Sequence, residues 1–197
     1  GYRPSNYDGR YSGLISIEKA LASSLNVPAI KVLDELETND FVELLGRSGF
    51  KRIKQDKSKL GLSLILGGCG VTLEELVNAY STLANGGIYS GLKYIRSEEA
   101  LYQDSIYSAG SSYMTSEILA TLIRPDLPNK FENSVHLPKI AWKTGTSYGR
   151  RDAWAIGYNT KYTIGVWVGN FSGIGIPELN GAEFAVPLLF NVFNSID

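Results

Sequence analysis

The chain has 197 residues, 44% of them hydrophobic, with 19 Lys+Arg against 20 Asp+Glu and a sequence pI near 5.9; this size suits one domain with a real core, and the charge balance leaves no footprint for nucleic acid or an anionic membrane surface. A single cysteine, Cys69, excludes an internal disulfide and a cysteine-rich metal site, and nothing in the pattern asks for a metal or a cofactor. The only histidine, His136, sits in a Pro-flanked loop-like stretch with no serine-elbow sequence to serve, so a Ser-His-Asp triad is not expected.

Residues 1–15 are rich in Gly, Tyr, Ser and Asn and read as an extended lead-in whose start, Gly1-Tyr2-Arg3-Pro4, looks like mid-protein. Helical spacing begins with Ser16 as N-cap and runs through Ile17, Ala20, Leu21 and Leu25. Asn26-Val27-Pro28 breaks and restarts the pattern, with Asn26 as a cap and Pro28 in the first turn of a helix through Ile30, Leu33 and Leu36. A third helix carries Phe41, Val42, Leu44 and Leu45 until Gly46 and Gly49 end it. The basic stretch Lys51 to Lys59 reads as a solvated loop. Thr72 and Glu75 have capping-box spacing, and the helix they open ends at Asn85-Gly86-Gly87. A further helix is expected over about Thr115 to Ile123, stopped by Pro125. After Pro138 the period changes to two, giving strands at Ile140 to Thr144, Ala153 to Tyr158 and Tyr162 to Val168, the last two joined at Asn159-Thr160-Lys161. Phe184 to Phe193 reads as a short closing helix. One domain spanning 1–197 results, mainly helical over 16–137, then strands and a helix over 138–197. Its class is mixed α+β (α/β in the broad sense): a helical cluster on an incomplete antiparallel sheet of about three strands.

Two short motifs carry chemistry. Ser24-Leu25-Asn26 is an S-x-N at a helix junction, and Lys143-Thr144-Gly145-Thr146 is a K-T-G ending a strand that faces a hairpin. Either alone is weak, since a chain of this size shows K-T-G by accident about one time in twenty. Together, and in those settings, they are two of the three signatures of penicillin-recognising serine acyltransferases, whose third is S-x-x-K. Three literal S-x-x-K matches fail on geometry. Ser48-Gly49-Phe50-Lys51 and Ser90-Gly91-Leu92-Lys93 place glycine where a helix must continue. Ser16-Ile17-Glu18-Lys19 lies on the order of 12 Å along a helix from Ser24, too far to share a proton. Cys69 has no base nearby in sequence to lower its pKa and reads as a small buried apolar residue.

Longer stretches carry a more specific likeness. Asn6-Tyr7-Asp8-Gly9, Ser16 to Pro28, Gly61 to Gly87, Trp142 to Gly169 and Ala185-Val186-Pro187 follow one another in the order and approximate spacing of one family. On these the chain resembles the transpeptidase domain of bifunctional class A penicillin-binding proteins, most closely their 1C-type subgroup, with its β-lactamase-like fold. The resemblance implies a serine acyl-enzyme D,D-transpeptidase that cross-links peptidoglycan stem peptides and binds β-lactam antibiotics. It implies that Ser24 relays protons near the leaving amine, Asn26 bonds the acyl amide, and Lys143 lends charge to the substrate carboxylate and to Ser24. Thr144 and Thr146 would bind that carboxylate, with Gly145 between them, and the Thr146 N–H would form half of an oxyanion hole.

Family order puts the S-x-x-K helix upstream of S-x-N, whereas Gly1 stands only 23 residues before Ser24. The nucleophile and the sheet's first two strands are therefore expected ahead of residue 1, and this chain alone is expected to be inactive. The parent is expected to carry an upstream membrane-anchored glycosyltransferase module and to work at the periplasmic face of the bacterial inner membrane. The competing reading is a non-catalytic β-lactam- or peptidoglycan-binding module, a sensor or scaffold.

Overall fold

A computed structural model of the chain describes residues 4–6, 9–56, 60–96, 102–121 and 137–196; His136 lies outside them. Ser16 caps α1 (Ile17–Ala22), its Oγ accepting the Lys19 N–H at 3.2 Å. Next come α2 (Asn26–Leu36) and α3 (Thr38–Arg47), burying Ile30, Leu33 and Val42. The loop expected at Lys51 to Lys59 is instead helical in its first part, α4 (Lys51–Gln55). Ile53 explains the difference: it is buried among Leu33, Val42, Phe50 and Leu64, and one apolar anchor among exposed charges is too sparse to register as a period. A 3₁₀ turn at Leu62–Leu66 supplies Leu64. The capping box that opens α5 (Leu73–Ala84) is closed in both directions, Glu75 N–H to Thr72 Oγ1 at 3.1 Å and Thr72 N–H to Glu75 Oε2 at 3.0 Å. Its end folds back as the glycines predict, with the Gly87 N–H donating to the Thr82 carbonyl at 2.8 Å.

The stretch expected to be mainly helical also contains a two-stranded antiparallel sheet, β1 (Ile88–Ser90) with β2 (Gln103–Ser105). Two strands of three residues each, Ile-Tyr-Ser and Gln-Asp-Ser, are too short for an alternation to read; cross-links hold them instead. Arg47 donates two hydrogen bonds to the Asp104 carboxylate, at 2.7 and 2.9 Å, and the Tyr89 and Tyr102 rings meet at 5.8 Å. Arg47 and the Tyr102 hydroxyl hold the Asp104 carboxyl below its ordinary range. The next helix, α6 (Ala109–Ala120), starts six residues before the expected Thr115, because Ser108 caps it by accepting the Ser111 N–H. Its first turns are rich in Gly and Ser, weak helix formers, yet Ser112 is buried and Ser116 bonds both the Ser112 carbonyl and the Tyr158 hydroxyl, each at 2.8 Å; packing overrides local propensity here.

The main sheet is antiparallel, in the order β3 (Ala141–Thr146), β4 (Asp152–Tyr158), β5 (Thr163–Gly169). Trp142, Ala155, Ile164, Val166 and Val168 face a closing helix, α7 (Val186–Ile196), through Val186, Leu189, Phe190 and Phe193. That helix begins two residues later than predicted, because Gly181–Ala185 forms a π-helical turn ahead of it. The opposite pleat faces α1, α5 and α6. There Ala141 and Tyr158 pack with Leu119, Leu21 and Tyr80. Helix α5 crosses β5 so closely that a Cβ on Gly165 would meet Val77 and lie 2.8 Å from Leu73 Cδ1. Helices on both faces of one sheet thus leave β3 as an outer strand, and its end carries the K-T-G.

Candidate active site

Ser24 ends α1 in an unusual way. The Leu25 N–H donates to the Ala20 carbonyl at 2.9 Å and the Ser24 N–H to the Leu21 carbonyl at 3.0 Å, the two bonds of a Schellman motif. The residue in left-handed conformation at such a stop is ordinarily glycine; here it is Ser24, at φ 55°. A side chain there costs about 1 kcal/mol, and strain of this kind gathers where a side chain is needed in one place. The Ser24 hydroxyl is thereby brought to Lys143, whose Nζ donates to Ser24 Oγ at 2.7 Å and to the Thr144 carbonyl at 3.0 Å. Both side chains are partly buried. An ammonium is a donor only, so the Ser24 oxygen receives from lysine while its own proton points elsewhere. The pair forms a hydroxyl that can give up a proton beside a fixed positive charge.

A stability comparison checks the strain. Ser24→Ala removes the hydrogen bond and keeps the strain, whereas Ser24→Gly removes both, so the alanine variant should melt about 2–4 °C below the glycine variant. Thermal melts of the two decide it: an alanine variant melting as high as the glycine variant would show that Ser24 is not strained.

Asn26 does not cap α2 as expected. It is the first helical residue, follows Leu25 at the N-cap, and donates from Nδ2 to the Ser5 carbonyl at 3.1 Å. The cap comes from Asn6, twenty-one residues earlier: its Oδ1 accepts the Val27 N–H at 3.1 Å while its Nδ2 donates to the Arg10 carbonyl at 2.7 Å. Asn6 is 5% exposed. Ser5 and Asn6 of the lead-in therefore clamp the Ser24-Leu25-Asn26 junction, a role that sequence reading missed because no local spacing encodes it.

The pleat divides the K-T-G residues. Lys143 and Gly145 share the face toward α1, α5 and α6 with Ile156 and Trp154, their partners on β4, and Thr144 and Thr146 take the face toward α7. Thr146 is exposed, and its Oγ1 accepts the Gly181 N–H at 3.1 Å. A Cβ on Gly145 would meet only the Trp154 side chain, at an ordinary 3.5 Å. Folding does not demand glycine at Gly145; its bare backbone leaves room beside the strand.

The alternative nucleophiles are otherwise engaged. Ser16 Oγ serves the α1 cap and Ser48 Oγ donates to the Leu44 carbonyl at 2.9 Å, with Gly49 at φ 92° breaking the helix between Ser48 and Lys51. Ser90 ends β1. Burial, and after it Glu75, pushes the Cys69 thiol up, away from thiolate character. Among the described residues no three His, Cys, Asp or Glu gather as a metal site, and no helix is long and apolar enough to cross a membrane.

The family profile described as penicillin binding protein transpeptidase domain matches residues 2–173. Penicillin-binding protein 1C of Escherichia coli is 39% identical over 196 residues, covering 98% of this chain and 24% of that protein. Penicillin-binding protein 4 of Bacillus subtilis is 29% identical over 191 residues, covering 91% of this chain and 30% of the relative. The chain thus spans about a quarter to a third of the length of these relatives. The crystal structure of penicillin-binding protein 1A from Haemophilus influenzae superposes with a TM-score of 0.81 at 20% identity, over 98% of this chain and 36% of that one. A strained serine held against the lysine of a K-T-G strand, in a fold shared with that structure and a sequence matched over most of its length, leaves one assignment: the chain belongs to the penicillin-binding protein transpeptidase domain family, a family of serine acyltransferase type, with class A penicillin-binding proteins among its relatives.

Proposed function

We propose that this chain supplies the proton-relay and carboxylate-binding half of a D,D-transpeptidase site. The observation that carries the proposal is the 2.7 Å bond from Lys143 Nζ to Ser24 Oγ, made across 119 residues of sequence. The nucleophile is the serine of an S-x-x-K segment upstream of residue 1. Its hydroxyl proton passes to the lysine of that S-x-x-K as the oxygen attacks the penultimate D-alanyl carbonyl of a stem peptide; the C–N bond breaks, the departing D-alanine amine takes a proton from Ser24, and Ser24 regains one from that lysine. An acceptor amine from a neighbouring stem peptide then attacks the ester, releasing the serine and closing the cross-link. Lys143 keeps the Ser24 oxygen poised and attracts the donor's carboxylate, which Thr144 and Thr146 bind. Asn26 bonds the acyl amide, Gly145 gives the donor room, and the Thr146 N–H supplies one oxyanion donor. As an outer strand, β3 can accept an extended donor peptide by strand addition. β-Lactams enter the same site as acyl donors. The complete protein carries a membrane-anchored glycosyltransferase module and works at the periplasmic face of the inner membrane.

Labelling with a fluorescent penicillin tests this. A chain extended upstream to carry the S-x-x-K serine should label readily, whereas residues 1–197 alone should form no covalent adduct, since the hydroxyls of Ser16, Ser48 and Ser90, their own S-x-x-K serines, bond backbone groups. A stable adduct on the short chain, located by mass spectrometry, would move the nucleophile into this sequence. An extended chain that binds penicillin without acylation would favour a binding module.

A further inference from the structure

We propose that Gly181 is a positioning residue for acyl-donor recognition: its backbone N–H sets the Thr146 hydroxyl so that the hydroxyl proton is presented to the donor's carboxylate. The proposal rests on the reading of Thr146 as a carboxylate ligand and names what orients it. Thr146 stands at the exposed end of β3, where nothing in the strand itself fixes the direction of its hydroxyl. The Gly181 N–H, thirty-five residues on, donates to Thr146 Oγ1 at 3.1 Å. A threonine hydroxyl has one proton to give and two lone pairs. Receiving the Gly181 N–H holds the oxygen in place and leaves the proton to be donated outward to an anionic oxygen.

Only glycine can stand there. A Cβ on Gly181 would lie 2.6 Å from the Gly145 carbonyl oxygen, 2.6 Å from that of Trp154 and 3.2 Å from the Gly145 nitrogen. All three are backbone atoms of the β3–β4 pair and cannot yield without disturbing the K-T-G strand. Gly181 therefore lies flat on the sheet beneath the residues that would grip the carboxylate. The turn that carries it is tied down independently: Asn180 Oδ1 accepts the Glu183 N–H at 2.9 Å, Asn180 Nδ2 donates to the Glu178 carbonyl at 3.2 Å, and Ala182 and Ala185 are buried. This segment is π-helical, a rare form frequent at functional sites, and it runs directly into α7 in the main core.

The test compares acyl donors that differ only at the carboxylate, a penicillin and its methyl ester, on the chain extended to carry the nucleophile. The parent should acylate faster with the free acid. Gly181→Ala should cut the ratio of acid to ester rates about tenfold, as expected for losing a hydrogen bond to a charged group. Asn180→Ala, which loosens the turn without adding a Cβ against the strand, should cut it by a smaller factor and stands in should Gly181→Ala fail to fold. On residues 1–197 the Gly181 amide should exchange slowly with solvent deuterium, faster in Thr146→Val, and slowly again in Thr146→Ser. Loss of acid and ester rates in equal proportion in both turn variants would reduce Gly181 to a packing residue and overturn the proposal, as would a Gly181 amide indifferent to Thr146→Val. A parent that shows the amide protection but no preference for the acid would instead overturn the carboxylate reading of Thr146, and the proposal with it.

Discussion

Replacing Lys143 with alanine, in a chain extended to carry the nucleophile, should slow acylation by penicillin by a factor of about 10²–10³ while moving the melting temperature by only a few degrees. The asymmetry follows from where the side chain stands. Its ammonium reaches Ser24 Oγ and the Thr144 carbonyl in a partly open site, so the fold loses hydrogen bonds whose net worth is about 1 kcal/mol each when water can replace them. The reaction loses a fixed positive charge aimed at the groups that change charge during transfer, and water cannot replace its placement. Stopped-flow acylation beside a thermal melt separates the two. A normal acylation rate would reduce Lys143-Thr144-Gly145 to a strand end that spells the motif.

Replacing Trp142, the neighbour of Lys143, should do the reverse. Trp142 is 1% exposed, and its ring meets Phe190 of α7 edge-on, at 5.1 Å between centroids and an interplanar angle of 82°. Truncation to alanine empties the junction of β3 and α7 and should cost about 3–5 kcal/mol, a fall in melting temperature on the order of 10 °C at this chain length. Any loss of acylation should then follow the loss of folded protein and recover on cooling. A Trp142→Ala variant that melts like the parent would mean that α7 does not hold the K-T-G strand.

The contrast between these neighbours shows what the sequence could disclose. Local chemistry was legible: the Ser16 cap, the Thr72 and Glu75 capping box and the glycine stop after α5 depend on spacings of three or four residues. The three strands of the main sheet were legible through alternation, and the nearness of Ser24 to Lys143 through the motif pair. Elements held by distant partners were not. Helix α4 exists because Ile53 finds a core made by other helices, and β1 and β2 because Arg47 reaches Asp104. Within the site, the Asn6 clamp, the left-handed Ser24 and the Gly181 contact all join residues far apart in sequence or depend on backbone conformation. Asn26 showed the limit most directly, since a good cap residue at a helix start proved to be inside the helix once Asn6 had taken the capping role.

The account turns on Ser24 and Lys143 acting as one unit, and a double-mutant cycle on the acylation rate of the extended chain measures that. If the lysine works through the serine oxygen it contacts, Ser24→Ala with Lys143→Ala should be about as slow as the slower single variant, with a coupling of 0.5–3 kcal/mol, roughly, between them. Losses that multiply independently would contradict it, and would leave the 2.7 Å contact a feature of the fold and not of the chemistry.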